Sequence, residues 1–127
     1  VCGHSHCGAM KGLLDESLVA GTPAVRQWLG HAEITKRIMQ ENYSELTGDR
    51  LLSACVQENV LAQIENLKTH PSVAARLSSG KINLHGWIYK FETGQVFAFD
   101  YAQGQFVPMD QVTVDQMRLG GRVMAEI

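Results

Sequence analysis

Two cysteines and two histidines fall within the first seven residues, in the stretch "VCGHSHCGAM". Zinc is held by cysteine thiolate and histidine nitrogen in a tetrahedral arrangement. His4 and Cys7 are three residues apart, so one turn of chain can aim both at a single ion. Gly3 and Gly8 suit a sharp bend and a close backbone approach there. A helix starting near Gly8 would set the positive end of its dipole beside the Cys7 sulfur, and thiolate is the form that binds metal. Spacing alone therefore gives half a metal site. Two ligands hold zinc poorly, and a catalytic site has three protein ligands and one open position.

The other soft side chains are less committed. In an extended Val1–His4 segment, Cys2 and His4 share a side, which makes Cys2 an optional third ligand. The plainer reading of Cys2 is a small buried hydrophobe on a central strand, because free cysteine is among the most buried residue types. His6 reads either as a ligand or as an exposed turn residue, and the turn is the simpler of the two. His31, His70 and His85 are further ligands in principle. His31 opens a helix, His70 precedes a proline and His85 lies in a strand, so each reads more simply as a surface or hydrogen-bonded histidine. Cys55 falls on an apolar helix stripe and reads as core.

The elements that position these residues follow from periodicity and punctuation. "VCGHSHCG" reads as the end of a strand turning into a helix that runs from Ala9 to about Ala20, weakened by Gly12. In "GTPAV", Thr22 can cap and Pro23 suits the first helical position, so a second helix runs to about Gly30. Apolar residues at spacings of three and four predict a helix from Ala32 to Leu46. Asp49 then caps a longer helix to about Lys68. Its stripe is Leu51, Leu52, Cys55, Val56, Val60, Leu61, Ile64 and Leu67. Helix "PSVAARL" follows. "INLHGWIYKF" and "QVFAFDY" are rich in β-branched and aromatic residues and read as a hairpin joined through "ETGQ". After Tyr101 the chain reads as a weak tail whose order calls for a partner. One hairpin and a strand stub cannot cover so many apolar helix stripes, since sheets generally need three or more strands. The chain opens on Val1 and in mid-strand, so strands preceding Val1 are expected to belong to the fold.

The totals bound the alternatives. A chain of 127 residues suits one domain. Hydrophobic residues at 45% and charged residues at 19% are ordinary for a globular protein. A net charge of −2 gives no electrostatic case for nucleic acid, which demands a basic face. No apolar run approaches the roughly 20 residues that cross a bilayer. Three cysteines, an odd count with no visible secretory segment, point to a reducing compartment rather than a disulfide framework.

Two stretches together carry a family resemblance. "VCGHSHCGAMKGLL" resembles the second metal motif of the β-class carbonic anhydrases, a strand-end "CGHSxCG" leading into a helix. "LHGWIYKFETGQVFAFD" resembles that family's "HGWxYxxxxGxvxxyd" hairpin, in the matching order. Residues 1–101 thus resemble the C-terminal part of such a domain, and 102–127 form a C-terminal extension. "QENVLAQIENLKTHPSV" and the added tail are most similar to the cyanobacterial carboxysomal branch.

The resemblance implies an α/β fold, a mostly parallel sheet flanked by helices, whose first strands are missing from this chain. It implies Zn2+ as cofactor, His4 and Cys7 as zinc ligands, and Gly8 beside the substrate pocket. It implies reversible hydration of carbon dioxide to bicarbonate and a proton. It also implies a homodimer or larger homo-oligomer and a cytoplasmic, carboxysomal setting. Tyr89 corresponds to a tyrosine that helps bind bicarbonate at a non-catalytic site in some members, although an aromatic packed on the hairpin is the simpler reading here. The family's first metal motif, Cys-x-Asp-x-Arg, which supplies the remaining zinc cysteine, is not among these residues. The 127 residues alone are therefore expected to be inactive. The alternative is a non-catalytic segment that binds a carboxysomal scaffold or shell protein through 102–127. A small structural zinc module built from Cys2, His4, His6 and Cys7 would need an implausibly tight loop.

Overall fold

The computed structural model describes residues 1–111; the part of the C-terminal extension in 112–127 lies outside the described residues. Among the described residues four strands form one sheet in the order β1-β2-β3-β4: β1 Cys2–His4, β2 Trp87–Lys90, β3 Gln95–Asp100 and β4 Gln105–Pro108. β1 runs parallel to β2, with Cys2 opposite Trp87 and His4 opposite Tyr89. The β2–β3 and β3–β4 pairs are antiparallel. The α/β class is as expected, and the chain between the two parallel strands is the helical layer: α1 Gly8–Leu14, α2 Pro23–Leu29, α3 Glu33–Asn42, α4 Gly48–Thr69 and α5 Pro71–Ser78.

The sheet continues beyond Tyr101. The β3–β4 turn is built by Asp100, which is fully buried and accepts hydrogen bonds from the Ala102 and Gln103 backbone N–H groups at 2.8 and 3.1 Å. Gly104 completes the turn with φ of +68°, the left-handed region that favours glycine. Pro108 ends an edge strand, where its missing N–H breaks no ladder. The stretch read as a weak tail thus begins with a strand. The hairpin before it is as predicted, with Gly94 at φ +70° in the turn, although its first strand starts only at Trp87.

α4 covers the sheet. Leu52, Cys55, Val56, Val60 and Ile64 from the predicted stripe are buried against Ile88 and Leu84. Burial of this stripe is the principal apolar contribution to the fold. The first helix is shorter than its periodicity suggests. Asp15 is extended and its carboxylate accepts from the Ser17 N–H at 3.0 Å, opening a separate 3-10 turn over Glu16–Val19. A local side-chain bond of this kind competes with helix continuation. Thr22 does not cap α2 through its side chain; its hydroxyl donates to the Val19 carbonyl at 3.1 Å instead. α3 stops at Asn42 rather than Leu46, and α4 starts at Gly48, one residue before Asp49, which occupies the first turn.

Candidate metal centre

The corner between β1 and α1 is where the two expected ligands meet the rest of the fold. β1 places Gly3 toward α4, and a Cβ on Gly3 would lie 2.7 Å from Val56 Cγ1 and 2.9 Å from Val60 Cγ2. Side chains alternate along a strand, so Cys2 and His4 face away from that helix. The Phe91 ring lies near His4, yet both Cys2 and His4 are exposed. The reading of Cys2 as a buried hydrophobe is therefore corrected: β1 lies at the edge of the described sheet.

Residues 4–7 form a compact hook. The His4 Nδ1–H donates to the Ser5 carbonyl at 2.9 Å. A carbonyl can only accept, so Nδ1 carries the proton, and in the neutral ring this leaves the Nε2 lone pair uncommitted. His6 has φ of +53°, the single non-glycine left-handed residue among the described ones. That conformation costs about 1–2 kcal/mol for an L-residue, and it turns the chain back so that Cys7 follows directly into α1. Cys7 is a free thiol, half-buried, at the position preceding the helix and without a side-chain cap bond. A bare imidazole nitrogen and an unengaged sulfur within one hook fit a soft divalent ion.

His6 is held in its turn by Glu92, whose carboxylate accepts from His6 Nε2 at 2.8 Å. The other carboxylate oxygen accepts the Ser5 hydroxyl at 2.5 Å. The Ser5 hydroxyl bond, with the backbone at Glu92 and the nearby His6, holds this carboxyl below the usual glutamate range. The Phe91 ring lies against both His4 and His6, with ring centroids 6.1 and 5.7 Å apart. Ser5 and Glu92 carried no visible signal in the sequence, because the contact joins residues 87 positions apart.

The remaining sites are elsewhere. His31 and His70 are exposed on helix ends and His85 is half-buried before β2. Among the described residues no three histidine, cysteine, aspartate or glutamate side chains gather tightly enough to hold a metal ion. Cys55 is fully buried, as expected, and burial, with Cys7 and Glu58 nearby, pushes its thiol up to about 12. Tyr89 is exposed on β2. Gly8 is exposed, and the space its Cβ would fill is open. A cavity of about 610 Å³ lies beside the hook, lined in part by Ser5, His6, Arg50, Lys90 and Glu92. Gly8 does not line it. No described helix is long and apolar enough to cross a membrane.

A helix-covered α/β sheet with a histidine–cysteine hook at the end of its first strand defines a class of candidate metalloproteins. The family model described as carbonic anhydrase matches residues 1–96, and the chain belongs to the β-class carbonic anhydrase family. It is 51% identical over 108 residues to a carbonic anhydrase of Synechocystis sp., covering 84% of this chain and 39% of that protein. It is 48% identical over 115 residues to a carbonic anhydrase of Synechococcus elongatus, covering 90% of this chain and 42% of that one. The solved structure of the β-carbonic anhydrase CcaA superimposes with a TM-score of 0.82 at 50% identity, over 85% of this chain and 49% of that chain. The chain thus spans less than half the length of these relatives.

Proposed function

We propose that this chain supplies the His4 and Cys7 half of the zinc site of an enzyme that hydrates carbon dioxide reversibly to bicarbonate and a proton. The observation that carries the reading is the hook itself: His4 Nε2 is left bare by the Nδ1 bond to Ser5, and the Cys7 thiol is unengaged. Membership of the carbonic anhydrase family supports it. A zinc ion bound there would act as a Lewis acid and bring the pKa of a water near 7. Within this chain, His4 contributes a neutral nitrogen in a fixed tautomer and Cys7 contributes the sulfur. Gly8 leaves open space next to Cys7 in which a small substrate can approach.

The set is incomplete without further ligands. The exposed edge of β1, bare of a partner strand among the described residues, is the natural seat for a strand that brings the remaining cysteine. These 127 residues alone are accordingly expected to be inactive. Association into a homodimer or larger homo-oligomer belongs to the same proposal, as do a cytoplasmic, carboxysomal setting and contact with a scaffold protein through 102–127. The support for those last points is the resemblance to the carboxysomal branch.

The test is Cys7→Ser in the protein carrying the complete ligand set. Zinc content by elemental analysis and carbon dioxide hydration by stopped flow should both fall to background. Retention of both would overturn the assignment.

A further inference from the structure

The hook is gripped from outside by a four-residue stretch of the β2–β3 hairpin. Ser5 is tied to that stretch through three bonds. Its N–H donates to the Tyr89 carbonyl at 2.9 Å, its hydroxyl donates to Glu92 at 2.5 Å, and the same hydroxyl oxygen accepts from the Phe91 N–H at 3.3 Å. The carbonyl of this immobilised Ser5 is the acceptor that orients the His4 ring. On the far side of Ser5, Glu92 also holds His6, the residue in the strained left-handed conformation immediately before Cys7. One carboxylate therefore acts on both arms of the hook. It acts on His4 through the Ser5 backbone and on Cys7 through the His6 turn.

We propose that Glu92 is a positioning residue that sets the mutual geometry of His4 and Cys7. The inference rests on the zinc reading above and extends it to a residue on a separate element. Strained backbone persists where surrounding contacts over-determine it. Without the carboxylate, His6 keeps the Phe91 ring beside it but loses its one polar side-chain partner among the described residues, and Ser5 loses one of its three ties. The hook then relaxes toward ordinary dihedrals, and the two ligands no longer converge as well. Partners outside the ligand sphere that orient ligands typically contribute 10–100-fold in metal affinity.

The experiment compares the zinc-loaded enzyme carrying its complete ligand set with its Glu92→Ala, Glu92→Gln and Ser5→Ala variants. The readout is the rate of zinc transfer to an excess of a chromophoric chelator, with the melting temperature of each metal-free form measured alongside. Glu92→Ala should release zinc roughly tenfold faster, with metal-free melting changed little. Glu92→Gln keeps an acceptor for the Ser5 hydroxyl and should fall between. Ser5→Ala should also release faster than the unmodified protein. A purely structural role would lower the melting temperature and leave the release rate alone. Should Glu92→Ala fail to fold, the Glu92→Gln and Ser5→Ala rates decide the matter, and rates equal to the unmodified protein overturn the proposal. Equal release from Glu92→Ala overturns it as well, while leaving the zinc reading intact. An unmodified protein that takes up no zinc overturns both.

Discussion

Gly3 and Val56 sit so close that no side chain fits between them: a Cβ on Gly3 would lie 2.7 Å from Val56 Cγ1. Val60 and Ile88 close the same space at 2.9 and 3.2 Å. The glycine inside the metal motif therefore serves the packing of α4 on β1 rather than a bend. Gly3→Ala forces the fully packed Val56–Val60 ridge to move or β1 to shift. Overpacking of this kind costs about 1–3 kcal/mol. Urea denaturation monitored by circular dichroism should show a lower midpoint with an unchanged slope. A midpoint equal to that of the unmodified protein would show that the ridge yields freely.

The three cysteines should separate sharply in reactivity. Cys55 is fully enclosed, and its thiol, pushed up to about 12 chiefly by burial, offers a thiolate fraction of about one in ten thousand at pH 8. Cys2 is exposed. Brief treatment with iodoacetamide, followed by peptide mass spectrometry, should label Cys2 and leave Cys55 unmodified until denaturant is added. Labelling of Cys55 in the folded protein at a rate comparable to Cys2 would mean that the α4–sheet core opens readily.

Much of this architecture is legible in the residues because it depends on local signals. Pro23 and Pro71 mark helix starts, the α4 stripe shows its apolar period, and Gly94 marks the hairpin turn. The His4 and Cys7 spacing is equally local. The misses share a cause. Asp15 ends α1 through a bond to Ser17 that competes with an otherwise acceptable helical pattern. β4 is short and carries Gln105 and Pro108, and what makes it a strand is the partner β3 and the turn that Asp100 builds. Cys2 obeys burial preference only where something lies over it, and its side of β1 is open among the described residues. The Glu92 grip joins distant parts of the chain, so no window of sequence displays it.

Tyr43 fastens the end of α3 to α4. Its hydroxyl donates to the Glu58 carboxylate at 2.5 Å, and this bond, together with partial burial and the Glu58 charge, raises the phenol above its ordinary value of 10.0. Tyr43→Phe should cost about 1 kcal/mol at pH 7. A raised folded value means the contribution is complete below pH 10 and is lost as pH rises through it. The difference in urea midpoint between the two proteins should accordingly shrink in alkaline solution. A difference that persists unchanged well above pH 10 would mean that packing of the ring, not the hydroxyl, carries the effect.

Asp100 gives the corresponding prediction on the acid side. Burial opposes its ionisation most strongly, but the Gln103 side chain at 2.6 Å and the N–H groups of Gln103 and Ala102 together outweigh it and hold the carboxyl below its ordinary 3.8. A lowered folded value means that folding favours the charged form. Its contribution is complete above 3.8, declines as pH falls below that, and is gone once the pH passes the folded value. Asp100→Asn keeps one oxygen to accept from the two backbone donors and removes the charge. The variant should be less stable than the unmodified protein at pH 7, and the gap should close as the pH is lowered below 4. The other carboxylates titrate alike in both proteins, so the difference between the two midpoints isolates Asp100. A gap that stays constant between pH 7 and pH 3 would mean that the cost comes from losing the oxygen that accepts from the Gln103 side chain and not from losing the charge.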